Sequence, residues 1–400
     1  MQRHAIRRRV SRRSFLQSSS ATTALAAAVP GGVFAGGSDR LRVGLVGCGG
    51  RGTAAAIHAL TATGGVEVVA VGDRVAEQVA AAAAAVESIA AGYGSRPVRC
   101  VGDDAAELVL STGVDIVILA TPPHLRPVEA AAAIRAGVHV YCEPPVAVDA
   151  AGVRSLLAVG AEARARGLSF VAGFESRHHP GVAAAVRGIR DGVVGRPTRG
   201  VAVAELGLPW RLPRRADWSA AEHALRNWIS EPRFSGGPLV EHHVHAVDRM
   251  LWAFGDEPPV SVAAVRRPAR LPAPCHAAEA VAVAYRFRDG RTLEAGIERR
   301  EGIVTRVEEL VEGPGGRVDL RAARFAAPGV PAAVPEAAVR TLVTGLRAGR
   351  RIDDLQSACR STLAAILGRD AVAAGHSLAW PAFWPAAEAG SSQSVQSSTV

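Results

Sequence analysis

The chain has 400 residues, 48% hydrophobic and 21% charged, a globular composition with room for two domains of ordinary size. Its formal charge of +9 does not mark a polyanion binder. The first 35 residues carry six arginines and no acid, which leaves +3 on the rest, and aromatics make up only 4%, too few for stacking on bases. No lysine occurs: all 46 basic residues are arginine, which excludes a Schiff base, a lysine general base and a Walker-type lysine. Cys48, Cys100, Cys142, Cys275 and Cys359 are scattered without a CxxC pair, so no disulfide framework is expected.

Residues 1–35 read as an export signal. Ser11-Arg12-Arg13-Ser14-Phe15-Leu16-Gln17 resembles the twin-arginine pattern, and a mild apolar run from Ala21 to Val29 follows it, too short to span a bilayer. Cleavage is expected after Val33-Phe34-Ala35, with a periplasmic destination. That route carries folded proteins, and a cofactor loaded before export is the usual reason to fold first. The signal therefore already suggests a bound cofactor.

Next comes an apolar strand, Leu41–Val46, running into Gly47-Cys48-Gly49-Gly50-Arg51-Gly52 and then an Ala-rich helical stretch. This is GxGxxG between strand and helix. Gly47 permits the tight turn, Gly49 lets backbone approach a pyrophosphate, and Gly52 allows close packing of helix on strand. A second strand from Val66 ends at Asp73, roughly twenty residues on, where an acid accepts hydrogen bonds from a ribose hydroxyl. That favours NAD, although the adjacent Arg74 leaves NADP open. Further buried-strand runs end at Thr121-Pro122-Pro123-His124 and at Glu143-Pro144-Pro145, with helical stretches between them. The expected fold is a doubly wound α/β domain over 36–165, followed by an α+β domain over 166–388 with an open, mostly antiparallel sheet. Residues 389–400 read as a disordered Ser/Gln tail.

The glycine motif, the Ala120–His124 run, Glu143-x-Pro145, Arg177, Asn227-Trp228, the block Gly236–Asp248 and the segment Ser361–Arg369 together resemble the Gfo/Idh/MocA oxidoreductases, in that order and over nearly all of residues 40–385. The resemblance implies a tightly held nicotinamide cofactor, sugar-like substrates, a C-terminal helix that returns to the Rossmann domain, and homo-oligomers assembled through the second domain's sheet. It places Thr121, Pro122, His124 and Glu143 beside the nicotinamide. It also implies a lysine in the Glu-Lys-Pro loop that shares proton handling with a later acid and histidine. Here Pro144 occupies that position, and proline has no proton to give.

The later motif must then carry proton transfer alone. Leu239–Trp252 has helical spacing, which puts Glu241, His245 and Asp248 on one face. Oxidising a secondary alcohol needs a base for the hydroxyl proton, and a histidine oriented by an acid suits it. His245 is read as that base, Glu241 as its partner, and His243, Arg177, His178 and Trp228 as substrate contacts, with Arg177 equally open to a plain salt bridge. Asp248 is read as structural. A divalent metal held by Glu241 and His245 is the weaker alternative, and no metal is assigned. Two further readings stay open: a cofactor-retaining enzyme that cleaves glycosides by transient oxidation, and a non-catalytic sugar- or nucleotide-binding relative.

Overall fold

The computed structural model describes residues 40–89, 95–265, 279–323 and 337–385. The twin-arginine segment, Cys275 and the C-terminal tail lie outside the described residues.

Six strands form the first sheet: β1 Leu41–Val46, β2 Val66–Asp73, β3 Val98–Val101, β4 Ile116–Leu119, β5 His139–Cys142 and β6 Phe170–Ala172. They lie in the order β3-β2-β1-β4-β5-β6, and every pairing is parallel. Burial on both faces explains why β1, β2 and β4 read as continuous apolar runs rather than alternating ones. Helices on each face supply the cover. In Ala76–Ile89, for example, Val79, Ala82, Ala83 and Val86 are buried at the spacing of one helical stripe. The strand order reverses between β1 and β4, and ligands of such sheets sit at the carboxyl edge there.

The second sheet contains β7 Arg199–Leu206, β8 Ser261–Ala264, β9 Glu279–Arg286, β10 Thr292–Arg299, β11 Arg306–Gly313, β12 Gly316–Asp319 and β13 Leu378–Ala379. Its order is β12-β11-β7-β10-β9-β8-β13, antiparallel except between β7 and β10. Leu293, Ala295 and Ile297 of β10 face helices Pro180–Arg190 and Val244–Ala253, whose Val186, Val247 and Met250 complete this core. On the opposite, open face Arg199 pairs with Glu294 and Glu312. The long helix Leu355–Ala374 joins the two domains. Its Thr362 Oγ1 accepts from the Val146 amide at 3.3 Å, its Ala364 carbonyl from the Tyr285 hydroxyl at 2.9 Å, and Arg369 donates to the Val148 carbonyl at 2.8 Å. It contains Ser361–Arg369, the segment for which the resemblance implied a returning helix.

Candidate functional site

The glycine turn is shaped by its neighbours. Gly47 has φ +96°, and a Cβ there would lie 2.4 Å from the Ala120 carbonyl carbon. A Cβ on Gly52 would lie 2.0 Å from the Gly47 oxygen, so the helix starting at Gly50 can pack this closely only on glycine. At Gly49 and Gly50, where the helix starts, a Cβ would meet open space, and a helix N-terminus beside open space suits a pyrophosphate. Asp73 is fixed at the end of β2, where its carboxylate accepts from the Cys48 amide at 2.8 Å and the Val75 amide at 2.9 Å. Two amides leave lone pairs for ribose hydroxyls. Arg74 points to the exposed Asp103 at 3.0 Å. These residues fit a dinucleotide.

Across the carboxyl edge, Arg51 reaches from the glycine turn to Glu143 at 3.0 Å, and Tyr141 donates to the same carboxylate at 2.8 Å. Glu175, 3.9 Å from Arg51, accepts from the Ala338 amide, and burial pushes its carboxyl up. Thr121 donates its hydroxyl to Glu129 at 2.5 Å; burial raises that carboxyl to about 7. Pro122 follows Thr121 in the same loop, and the His124 ring lies 4.7 Å from that of Phe234, its pKa lowered by burial. The Pro144–Pro145 peptide is cis.

The His-rich block is not one helix, contrary to the reading of its spacing. Pro238–Glu241 forms a single turn, the chain breaks at His242 and His243, and Val244–Ala253 begins anew. The break sends neighbouring side chains in different directions. Glu241 turns to Arg299 at the end of β10, 3.4 Å away, and is held above the usual carboxylate range by burial, against the pull of Arg299 and Arg126. His243 is buried, and its Nε2 lies 2.8 Å from the Ala202 carbonyl of β7; burial lowers its pKa to about 4, so the neutral ring donates from Nε2. His245 meets the edge of the Phe174 ring, at 5.6 Å between centroids, and faces a recess of about 240 Å³ between this helix and the sheet. His242, Arg249, Glu309 and Arg321 share that wall. Arg249 is paired with Glu309, an acid on the inward face of β11, and also donates to Ser176 at 3.0 Å.

The expected substrate contacts divide. His243 does reach the recess wall. Arg177 does not: it is committed to Asp248 (2.9 Å) and Asp256 (2.7 Å), beneath Trp252, as a buried ion centre. His178 lies 3.4 Å from Asp354, whose charge raises its pKa in spite of burial. Trp228 is half-buried in a short 3₁₀ turn, and the adjacent Asn227 staples the loop at Leu212 through two hydrogen bonds. Sequence reasoning missed Arg126, Arg249, Arg299, Glu309, Tyr141 and Glu175. Only Arg249, one turn beyond His245, carried a positional signal. Among the described residues no group of three or more His, Cys, Asp or Glu is placed to hold a metal ion, and no helix is long and apolar enough to cross a membrane.

A parallel sheet in this order, a glycine turn at its switch point, and a histidine-lined recess against a second, open sheet define a two-domain dinucleotide-binding protein. The chain belongs to the Gfo/Idh/MocA family: residues 41–171 match "Oxidoreductase family, NAD-binding Rossmann fold" and residues 203–302 match "Oxidoreductase family, C-terminal alpha/beta domain". It is 30% identical over 229 residues to inositol 2-dehydrogenase 4 of Saccharopolyspora erythraea, covering 57% of each chain. It is 31% identical over 158 residues to 1,5-anhydro-D-fructose reductase of Ensifer adhaerens, covering 39% of this chain and 43% of that one. The matched stretch thus spans about half the length of these relatives. In fold it is similar to scyllo-inositol dehydrogenase from Lactobacillus casei, solved with NAD(H) and scyllo-inositol, with TM-score 0.63 and 17% identity over 85% of this chain and 99% of that one.

Proposed function

We propose that this protein is an exported NAD-dependent oxidoreductase acting on a secondary alcohol of a sugar, cyclitol or glycoside. The observation that carries the reading is His245, which lines the recess and meets the ring of Phe174 just past the carboxyl end of β6. The glycine turn and Asp73 would hold the dinucleotide, and Thr121, Pro122, His124 and Glu143 would flank its nicotinamide. When bound, the nicotinamide exchanges hydride with the alcohol carbon. The chain's own task is the proton: His245 takes it from the hydroxyl, whereas Glu241, its expected partner, turns to Arg299. The relatives' names, an inositol dehydrogenase and an anhydrofructose reductase, support a polyol substrate. The twin-arginine pattern at Arg12-Arg13 supports export.

The test begins with mass spectrometry of small molecules released on denaturing the protein folded in the cytoplasm, followed by NAD titration and a screen of cyclitols, sugars and glycosides. Stoichiometric NAD, turnover, and a kcat at least 100-fold lower in His245→Gln with unchanged NAD affinity are expected. Glycoside cleavage without added NAD would instead point to transient oxidation with a retained cofactor. Absence of both released and titratable NAD would overturn the oxidoreductase reading in favour of a non-catalytic relative.

A further inference from the structure

Charge is unevenly distributed around the recess that His245 faces. Its wall holds two arginines, Arg249 and Arg321, against a single acid, Glu309, with alanine, valine and histidine side chains between them. Arg249 and Glu309 cancel. Both oxygens of the buried Glu309 carboxylate accept from Arg249, and the third guanidinium nitrogen donates to the Ser176 hydroxyl at 3.0 Å, so Arg249 keeps no free edge. Arg321 is differently placed, two residues past the end of β12. Asp319 accepts from the backbone amides of Arg321 and Ala322, at 2.9 and 3.1 Å, and so holds the chain rather than the side chain. The Arg321 guanidinium donates through Nη1 to the Val307 carbonyl at 3.3 Å, and among the described residues no carboxylate lies within ion-pair distance of it.

That leaves the Nε–Nη2 edge of Arg321, the fork that takes a carboxylate through two parallel N–H···O bonds. The charge balance favours a monoanion. With Arg249 offset by Glu309, the fixed charges of the wall sum to one positive, and His242 and His243 add none at pH 7, being held to about 4 by burial and by neighbouring arginines. A phosphate ester, with a charge of about −1.5 to −2 at neutral pH, would lack its second cation. The recess of about 240 Å³ is smaller than the about 300–1,000 Å³ of ordinary small-molecule clefts, which suits a single sugar ring. A neutral sugar leaves the Arg321 fork without a partner. A sugar acid, with a carboxylate in place of the primary alcohol, supplies one and still presents a secondary hydroxyl to His245.

We propose that the recess selects sugar acids, with Arg321 pairing the carboxylate of a single-ring substrate whose secondary hydroxyl faces His245. This rests on the oxidoreductase reading for the fate of that hydroxyl, but not for the binding preference. The test is calorimetric titration, with NAD present, of pairs that differ only in the carboxylate: glucuronate and glucose, galacturonate and galactose, mannuronate and mannose. At low salt at least one acid should bind about tenfold or more tightly than its neutral partner, and the advantage should shrink as salt is raised. Arg321→Met should erase the advantage, and Arg321→Lys should keep part of it. Arg321 is exposed and its side chain has one hydrogen bond to lose, so Arg321→Met should fold, which thermal unfolding checks. For an acid that is oxidised with formation of NADH, Arg321→Met should raise KM about tenfold and leave kcat little changed, the pattern of binding lost equally from ground and transition states. Equal or weaker binding of every acid, a preference that survives in Arg321→Met, or tighter binding of glucose 6-phosphate than of glucuronate would overturn the inference, as would no binding across the whole panel. Acid-selective binding without any NADH would refute the oxidoreductase reading and leave this one standing, whereas turnover confined to neutral polyols would do the reverse.

Discussion

Arg177 separates a structural from a functional reading most sharply. Replacing it with Met removes the guanidinium that spans Asp248 and Asp256, both of which it contacts through two nitrogens. Two acids lose a partner, but not equally. Asp256 keeps Arg360 at 3.3 Å and Arg190 at 3.3 Å, so it remains paired. Asp248 is 0% exposed and keeps only the Ser361 hydroxyl at 2.7 Å. The cost is therefore that of one orphaned carboxylate. Its ceiling is the cost of protonating that group instead: from an ordinary value of 3.8, holding an Asp neutral at pH 7 takes about 4 kcal/mol. Removal of one partner of a buried pair typically costs about 3–5 kcal/mol, so the expected loss is about 3–4 kcal/mol. Urea unfolding monitored by tryptophan fluorescence should show a lower midpoint with an unchanged slope. The loss should shrink steadily as pH falls below 7, to no more than about 1.6 kcal/mol at pH 5, and Arg177→Met/Asp248→Asn should recover part of it. A loss under about 1 kcal/mol, combined with weakened cofactor or sugar binding, would refute this reasoning and return Arg177 to the ligand site.

Two further outcomes follow from the geometry. Gly52→Ala puts a Cβ 2.0 Å from the Gly47 oxygen and should lower stability in the absence of cofactor by about 1–3 kcal/mol, whereas Gly50→Ala, which meets nothing within 4 Å, should stay within about 0.5 kcal/mol; thermal unfolding of the two variants checks this. Asp256, despite the opposing effect of burial, is held down to about 2 by Arg177 and by the neighbouring Arg360 and Arg190. A depressed carboxylate stabilises the fold above its ordinary value of 3.8, and that contribution, about 2 kcal/mol, is lost as pH falls from about 4 to about 2. Acid titration of Asp256→Asn should lack this limb of the stability curve.

How much of this was legible in the sequence depends on whether the signal was local. β1, the glycine turn and Asp73 were readable because strand, turn and acid follow one another along the chain, and because the positive φ of Gly47 and the Gly52–Gly47 contact are set within that unit. The parallel sheet followed from the same local patterning, whereas the helix over Ser361–Arg369 was suggested by the family resemblance alone. The His-rich block misled because the helix is interrupted at His242 and His243, where His243 meets the Ala202 carbonyl, and a spacing argument cannot see a partner 41 residues away. Arg177 carried no local signal, since its counter-ions Asp248 and Asp256 are brought to it only by the second domain's fold.

The lysine-free composition makes the division of labour in the proposed chemistry a matter of necessity. An arginine stays protonated at any physiological pH, so it can hold charge in place but cannot relay a proton. Where lysine can combine a cation and a proton donor in one side chain, this chain must split the two. The fixed charge beside Glu241 is Arg299, 3.4 Å away. The mobile proton falls to imidazoles, and histidines line the recess wall. His242 and His243 are both held to about 4, by burial first and by neighbouring arginines, so both are neutral at pH 7. Neither can store the alcohol's proton there. On the proposed reading that leaves the task to His245, which shares its wall with Glu309.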